Sequence, residues 1–463
     1  MKNRNQSMLQ GPLLGSIITY TVPIILTSIL QLLFNAADLM IVGRFCGSLS
    51  VAAVGATTYL TNLLVNFFVG LSVGAGVTVA QSIGSRNTEE IHRTVHAALP
   101  MALVSGAILT VVGVTCSEMF LKMMDTPESV LPLSSVYMKI CFGGVTFTVV
   151  YNFCAAILRA AGDTRSPLVF LTFAGVLNVL MNLFFVRVLN MNVAGVALAT
   201  TMSQGVSAVL VMMALMRRCD ACRLELKKIR FYSDQIRRII RIGLPAGTQS
   251  ALFSVSNVLV QSSMNTFGEV FVSGAAAAAN IEGFMYAVVN SYHQAAVNFV
   301  GQNAGAGQYD RVRRITWICL GSVTLTGIAL SASVCIFGRQ LLSLYIPDSP
   351  EAIGYGMFRF YSVASLYFLF GMMDVATGAI RGMGASLVPM VISLLGACGF
   401  RILWIAAVFP LWPTPEGLFL CYPLSWVITL VCQMAAFFVV YRNRAQTIMG
   451  GNNENFGSLR KST

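Results

Sequence analysis

Three carboxylates lie well inside long apolar stretches of this 463-residue chain: Asp38, Glu282 and Asp374. A charged side chain at the centre of a membrane-spanning helix costs roughly 2.5–3.5 kcal/mol on insertion scales, so such groups usually face a bundle interior or a cavity and have a function there. A carboxylate in that position can take up a proton, a hard cation or a cationic ligand. The alternative, a carboxylate near a helix end that reaches interfacial water, applies least to Glu282 and most to Asp374.

Neutral oxygen donors are also present inside the apolar stretches. Asn178 and Asn182 are four residues apart, so on a helix they share one face. Asn152 and Thr200 lie in the preceding and following stretches. One carboxylate with several neutral oxygens can bind a monovalent cation such as Na⁺, but Asp38 could equally take a proton. The two asparagines could instead form interhelical hydrogen bonds, worth roughly 1 kcal/mol or less each.

The elements that position these residues are predicted to be membrane-spanning helices. The chain is 56% hydrophobic and only 10% charged, whereas soluble domains contain about 25% charged residues. A soluble fold would lack a polar shell, so the composition indicates an integral membrane protein. Each apolar stretch is long enough for the roughly 20 residues that cross the hydrocarbon. The twelve predicted spans are 17–43, 51–76, 94–117, 133–158, 168–189, 193–216, 244–267, 272–300, 316–338, 355–380, 388–409 and 417–441.

The distribution of positive charge predicts the orientation of the spans. An even number of spans places both termini on one side of the membrane. Most of the 30 Lys and Arg residues then lie on that same side, which the positive-inside rule identifies as cytoplasmic. We therefore expect a multi-pass cell-membrane protein with both termini cytoplasmic, and we attribute the net charge of +12 to topology rather than to nucleic-acid binding. The predicted domains are an N-terminal six-helix lobe at 1–216, a basic cytoplasmic linker at 217–241, a C-terminal six-helix lobe at 242–441 and a polar cytoplasmic tail at 442–463.

The two halves of the chain are related by an internal repeat. Segment 79–91 pairs with 300–312, and segment 157–167 pairs with 379–389, which aligns Arg159 with Arg381. Because each half has six spans, both halves have the same orientation, and a parallel repeat of this kind is typical of transporters. The predicted fold is therefore an all-α integral membrane protein with twelve transmembrane helices in two six-helix lobes. Arg159 and Arg381 are predicted to lie at equivalent cytoplasmic helix ends and to act as gate residues.

These loop motifs, together with NAADLMIVGRFCGSLSVAAVG at 35–55, resemble the bacterial multidrug and toxic compound extrusion (MATE) transporters of the MOP flippase superfamily. The resemblance covers all twelve spans. It implies two lobes that face each other across a central cavity. It also implies an antiporter that exports small organic, often cationic, compounds in exchange for Na⁺ or H⁺ by alternating access.

The resemblance also implies a cation-coupling site in the first lobe. The family pattern places an Asp of the first span beside Asn residues on spans 4 and 5 and a hydroxyl on span 6. The positions that match this pattern are Asp38, Asn152, Asn178, Asn182 and Thr200. Some members carry a second acid on span 5, where this chain has Asn182. A Na⁺ ion at Asp38 is the one metal that the pattern would accommodate.

The second half departs further from the family pattern. Members with a cation site there often carry a Glu on span 7, but 243–260 contains no acid. Glu282 and Asp374 are therefore the candidates for a substrate-binding or second-lobe site. Arg401, in span 11, could neutralise an acid of this lobe or could extend to the interface.

The remaining motifs in the sequence do not predict catalysis or a cofactor-binding site. There is no P-loop or nucleotide fingerprint, so ATP is not the expected energy source. Cys219 and Cys222 form a lone CxxC pair without nearby His, which does not predict zinc. We expect no catalytic residues, no enzyme activity and no cofactor beyond the coupling ion. The expected partners are small-molecule substrates and the lipid bilayer, with the protein a monomer.

Two other functions remain to be weighed. A flippase for lipid-linked sugars can share the two-lobe plan, but it would tend to have extra spans and a more cationic cavity. A channel or receptor belongs to a different class, and the parallel repeat with its paired cytoplasmic loops favours alternating access instead. The identity of the substrate and the choice between Na⁺ and H⁺ stay open at the level of sequence.

Overall fold

The computed structural model describes residues 8–347 and 349–459, without the side chains of Tyr59 and 447–459. Within these residues every regular element is helical. The helices, numbered as the spans, are α1 Leu13–Phe45, α2 Ser48–Gly84, α3 Thr88–Met123, α4 Leu131–Gly143 with Val145–Ala160, α5 Arg165–Val188, α6 Asn192–Met216, α7 Ser233–Met264, α8 Glu269–Gly305, α9 Tyr309–Tyr345, α10 Pro350–Gly382, α11 Leu387–Val408 and α12 Pro415–Gln446.

Most of these helices can span a membrane by length and composition. Ten of the helices in the described part of the chain meet both criteria, and α4, whose two pieces meet at 43°, makes eleven. Helix α7 is long enough, but it begins with the charged turns SDQIRRIIR, which continue the basic linker, and its remaining part includes the polar stretch TQSALFSVSN at 248–257. The predicted all-α membrane fold with two six-helix lobes is confirmed.

The described chain folds into two compact units. One unit contains Val22–Val79 and Asn87–Ala251, and the other contains the remaining residues, chiefly those from Leu252 onward. The first turns of α1 and the end of α2 therefore group with the second half of the chain, where the Tyr20 ring packs edge-on against Phe299 at 5.3 Å. The predicted domain boundaries at 216, 241 and 441 stay predictions.

Small residues allow close helix packing within the first of these units. A Cβ on Gly70 of α2 would lie 2.2 Å from the Cα of Gly247 in α7. A Cβ on Gly74 would lie 2.3 Å from the Ile239 carbonyl oxygen. Backbone-to-backbone contacts of this kind are how membrane helices associate without a hydrophobic driving force.

The repeat seen in the sequence is reproduced in the local backbone geometry. Helix α4 ends in a turn where Gly162, at φ +84°, donates its N–H to the Arg159 carbonyl at 2.9 Å. Helix α10 ends the same way, with Gly384 at φ +86° donating to the Arg381 carbonyl at 2.8 Å. Glycine adopts this left-handed conformation without steric cost. Two helix ends that were aligned by sequence therefore share one C-terminal turn.

Candidate functional site

The structure brings Asp38 together with three of its four predicted partners. Asn182 Nδ2 donates to Asp38 Oδ1 at 2.5 Å, and Thr200 Oγ1 lies 3.3 Å from Asp38 Oδ2. Asn178 joins the two, because it accepts from Asn182 and donates to Thr200, each at 3.3 Å. Helices α1, α5 and α6 thus contribute one carboxylate, two amides and one hydroxyl to a single hydrogen-bonded cluster, which we call the Asp38 cluster.

Close packing of α1 against α5 explains why Asp38 reaches the asparagines. A Cβ on Gly175 would lie 1.9 Å from the ring of Phe34. Phe34 is one turn before Asp38 on α1, and Gly175 is about one turn before Asn178 on α5. The missing side chain at Gly175 therefore permits the approach that aligns the polar residues one turn further along both helices. Sequence reasoning missed Gly175, since glycine is frequent throughout the apolar stretches.

One amide oxygen of the Asp38 cluster has no partner. Asn182 is fully buried, and its Oδ1 forms no hydrogen bond with any described residue. An unsatisfied buried acceptor beside a carboxylate is costly unless a donor or cation completes it. The oxygen-rich donor set fits a hard monovalent cation, and Asp38 alone suffices for a proton.

Asn152, the fourth predicted partner, is placed elsewhere. Its Nδ2 donates to the Thr148 carbonyl oxygen of its own helix at 2.8 Å. The described residues include no hydrogen bond between Asn152 and the Asp38 cluster. Its predicted part in cation coupling therefore has no direct contact to support it.

Glu282 is held in a buried ion pair. Arg359 donates from Nε to Glu282 Oε1 at 2.8 Å and from Nη2 to Oε2 at 2.7 Å, and both side chains are buried. Sequence reasoning considered Arg401 as the residue that neutralises an acid of this lobe, but the structure places Arg359 there instead. Since both carboxylate oxygens are occupied, Glu282 could contact a cationic substrate only after this pair opens.

Asp374 belongs to a separate group. Nδ1 of His293 lies 2.7 Å from the Asp374 carbonyl oxygen and 3.2 Å from its Oδ1, and Arg381 Nη1 lies 3.4 Å from His293 Nε2. Asp374 and Glu282 thus have different basic partners. Arg381 is in the last turn of α10 and buried, whereas Arg159, in the last turn of α4, is only partly buried. The two aligned arginines share a backbone position but differ in their surroundings.

The basic linker folds against the N-terminal part of α3 and the last turn of α6. The Glu225 N–H donates to His96 Nε2 at 3.0 Å, and Leu224 N–H donates to the Leu215 carbonyl at 3.2 Å. Cys219 is exposed but Cys222 is buried, and burial raises the pKa of the Cys222 thiol to about 12. The CxxC pair is therefore chemically unequal, with only Cys219 open to solvent.

A family model matches the chain twice, once in each half: MatE covers residues 23–184 and 245–405. The chain belongs to the MatE family. It is 27% identical to the probable multidrug resistance protein YpnP of Bacillus subtilis over 94% of this chain and 96% of that protein. It is 23% identical to the FAD transporter of Shewanella oneidensis over 96% of this chain and 97% of that one.

Solved structures agree at the level of the fold. An outward-facing multidrug resistance MATE family transporter of the MOP superfamily superimposes with a TM-score of 0.86 at 19% identity, covering 97% of this chain and 99% of that one. The predicted resemblance is confirmed, and the double match to the family model follows the internal repeat. This MatE protein is a multi-pass membrane protein and a secondary active efflux transporter.

Proposed function

We propose that this MatE transporter exports small organic compounds, often cationic ones, in exchange for Na⁺ or H⁺ that binds at the Asp38 cluster. The observation that carries the proposal is the buried Asn182 Oδ1, which has no partner among the described residues and lies beside the only carboxylate of the cluster. A cation bound by Asp38 and this oxygen would satisfy both groups. A proton on Asp38 would also remove the charge, and the resulting O–H could donate to the amide oxygen.

Coupling follows from charge neutralisation inside an apolar helix bundle. Asp38 is ionised only at a cost in this setting, so an ion that neutralises it favours a different packing of α1, α5 and α6. Ion and substrate exchange if each prefers a different conformational state, because a ligand shifts an equilibrium only by its differential affinity. Asn178 and Thr200 hold the Asp38 cluster together and act as positioning or ligating residues in this scheme.

The proposal includes the cellular setting. The excess of Lys and Arg in one set of loops favours a cell-membrane protein with both termini cytoplasmic. The working form is a monomer, with no catalytic residues and no cofactor other than the coupling ion. Glu282 and Asp374 are left as candidates for substrate contact in the second lobe, and Arg159 and Arg381 as gate residues.

The test is efflux from proteoliposomes with an imposed Na⁺ or H⁺ gradient. Asp38→Asn keeps the shape of the side chain and removes its charge, so gradient-driven efflux should fall to the level of protein-free vesicles. Asp310→Asn removes an exposed carboxylate from the first turn of α9 and serves as the matched control, which should pump normally. Wild-type efflux by Asp38→Asn would exclude the Asp38 cluster as the coupling site.

A further inference from the structure

Arg401 is a buried guanidinium without an acidic partner. It lies on α11 with only 3% of its surface exposed, and no described Asp or Glu forms an ion pair with it. The nearby buried carboxylate, Glu282, is already held on both oxygens by Arg359. Arg359 and Arg401 both lie against the ring of Tyr422, at 5.8 and 4.4 Å from its centroid. This part of the second lobe therefore holds two buried cations and one anion.

Neutral groups accept only some of the hydrogen bonds that the Arg401 guanidinium can donate. Its Nε donates to Ser425 Oγ at 3.1 Å, and its Nη1 donates to Asn257 Oδ1 at 3.3 Å. These bonds use two of the five N–H donors of a guanidinium. Ser425 is itself committed, since its hydroxyl donates to the Tyr422 carbonyl at 2.7 Å. The other three N–H donors are on the two Nη atoms.

The energetics favour an anion at these donors. Charged groups within membrane-spanning segments pair with opposite charge or line a substrate path, and a buried cation left uncompensated is strongly destabilising. A guanidinium presents a planar fork that matches the two oxygens of a carboxylate. Arg401 also lies between two π-helical turns, Leu394–Gly399 and Trp404–Val408, a distortion that is frequent at functional sites.

Asn257 connects the buried guanidinium to the surface of the described chain. Asn257 is exposed on α7, and its Oδ1 accepts the hydrogen bond from Arg401 Nη1. An incoming anion could replace this oxygen as acceptor and receive a second hydrogen bond from Asn257 Nδ2.

We propose that Arg401 and Asn257 bind the carboxylate of an organic anion or zwitterion, which makes carboxylate-bearing compounds a substrate class of this transporter. The proposal rests on the proposed export function. It gives Arg401 a ligand-binding role. The sequence alone predicted that Arg401 either neutralises an acid of this lobe or extends to the membrane interface.

Benzoate is the probe, and benzamide is its neutral control of the same shape. The measurement is the thermal unfolding midpoint of the purified full-length protein as each compound is titrated, because a ligand that binds the native state raises the midpoint. Benzoate should stabilise the wild type and benzamide should not. Arg401→Gln should weaken the apparent benzoate affinity at least ten-fold, and Arg401→Lys, which keeps the charge but not the fork, should weaken it less. Arg339→Gln removes an exposed guanidinium from α9 and should leave the benzoate shift unchanged.

Asn257→Leu keeps the proposal testable if Arg401→Gln does not fold, and it too should reduce the benzoate shift. Equal shifts from benzoate and benzamide, no benzoate shift in the wild type, or a full shift in both Arg401→Gln and Asn257→Leu would each overturn the site. Because the readout is binding, it separates the two proposals. If Asp38→Asn pumps normally while the benzoate shift still depends on Arg401, the coupling site fails and the carboxylate site stands.

Discussion

Asn182 donates from Nδ2 to Asp38 Oδ1 at 2.5 Å, while the oxygen of the same amide has no hydrogen-bond partner among the described residues. One side chain thus supports the carboxylate and also offers an unused acceptor beside it. An acceptor in this position suits a cation that needs a coordination shell. A proton needs no coordination shell, because it forms a covalent bond to one carboxylate oxygen, and the acceptor can offer it only a single hydrogen bond from that O–H.

Asn178→Ala should distinguish the two coupling ions. The substitution removes the amide that accepts from Asn182 and donates to Thr200, so the donor set loosens while Asp38 remains. If Na⁺ drives export, the Na⁺ concentration for half-maximal efflux should rise at least ten-fold. If H⁺ drives export, efflux against pH at fixed Na⁺ should change little. Asn152→Ala is the matched control, because the Asn152 amide donates to Thr148 of its own helix. A similar loss in both variants would mean that the contacts of the Asp38 cluster do not govern coupling.

Gly175→Ala should damage the same site without touching a polar atom. The new Cβ would lie 1.9 Å from the Phe34 ring, so either the ring must shift or α1 and α5 must separate. Overpacking costs typically about 1–3 kcal/mol, and either adjustment, one turn from Asp38, should weaken the bond from Asn182 to Asp38. We expect a lower unfolding midpoint and impaired gradient-driven efflux.

Gly55→Ala and a compensating substitution serve as controls for the glycine. Gly55 is in α2 of the same unit, and a Cβ there meets nothing within 4 Å, so Gly55→Ala should behave as wild type. Phe34→Ala combined with Gly175→Ala restores space between the helices and should recover part of the efflux. If Gly175→Ala alone pumps normally, the close approach of α1 and α5 is not required for the site.

The sequence predicted the residues of the Asp38 cluster but not the helix packing that brings them together. Residue type and spacing single out Asp38, Asn178 and Asn182, and the family resemblance groups them with Thr200 and Asn152, of which the structure joins only Thr200 to the cluster. The contribution of Gly175 could not be predicted, because it depends on which face of α5 meets α1.

The partners of the two arginines in the second lobe likewise depend on which way each helix faces, and the sequence does not show this. Arg359 and Arg401 look alike in sequence, each being a single cation within an apolar stretch. Only the three-dimensional packing shows that Arg359 pairs with Glu282 and that Arg401 stacks on Tyr422. The contact between Asn257 and Arg401 could not be predicted from the sequence either, because spacing along α7 and along α11 does not show which faces of the two helices meet.

The Glu282–Arg359 pair should stabilise the resting fold as a unit, which is tested by removing its partners one at a time. Glu282→Gln leaves the buried Arg359 guanidinium without its counter-charge, and breaking one side of a buried pair costs about 3–5 kcal/mol. We therefore expect a marked fall in the unfolding midpoint for Glu282→Gln and for Arg359→Gln. The double variant should be more stable than either single one, because it leaves no unpaired charge. Additive losses in the double variant would show that the two residues do not act as a pair.

Thiol labelling should test both the orientation of the chain and the fold of the basic linker. Cys219 is exposed, whereas Cys222 is buried and its pKa is raised to about 12 by burial. Since the thiolate is the reactive form, a charged maleimide should modify Cys219 and spare Cys222 in the folded protein. The structure therefore restricts labelling of the CxxC pair to one thiol.

The side of the membrane follows from a second, engineered thiol. Pro413→Cys places a cysteine in the exposed turn before α12, on the side opposite to the linker if the chain crosses the membrane twelve times. The other exposed cysteine among the described residues, Cys432, is replaced by Ser as background. In sealed cells an impermeant maleimide should then label Pro413→Cys, and Cys219 should react only after the membrane is permeabilised. Labelling of both positions in sealed cells would contradict the twelve-span orientation. Modification of Cys222 at the rate of Cys219 would instead show that the linker does not pack as described, because a thiol with so high a pKa reacts slowly unless it becomes exposed to solvent.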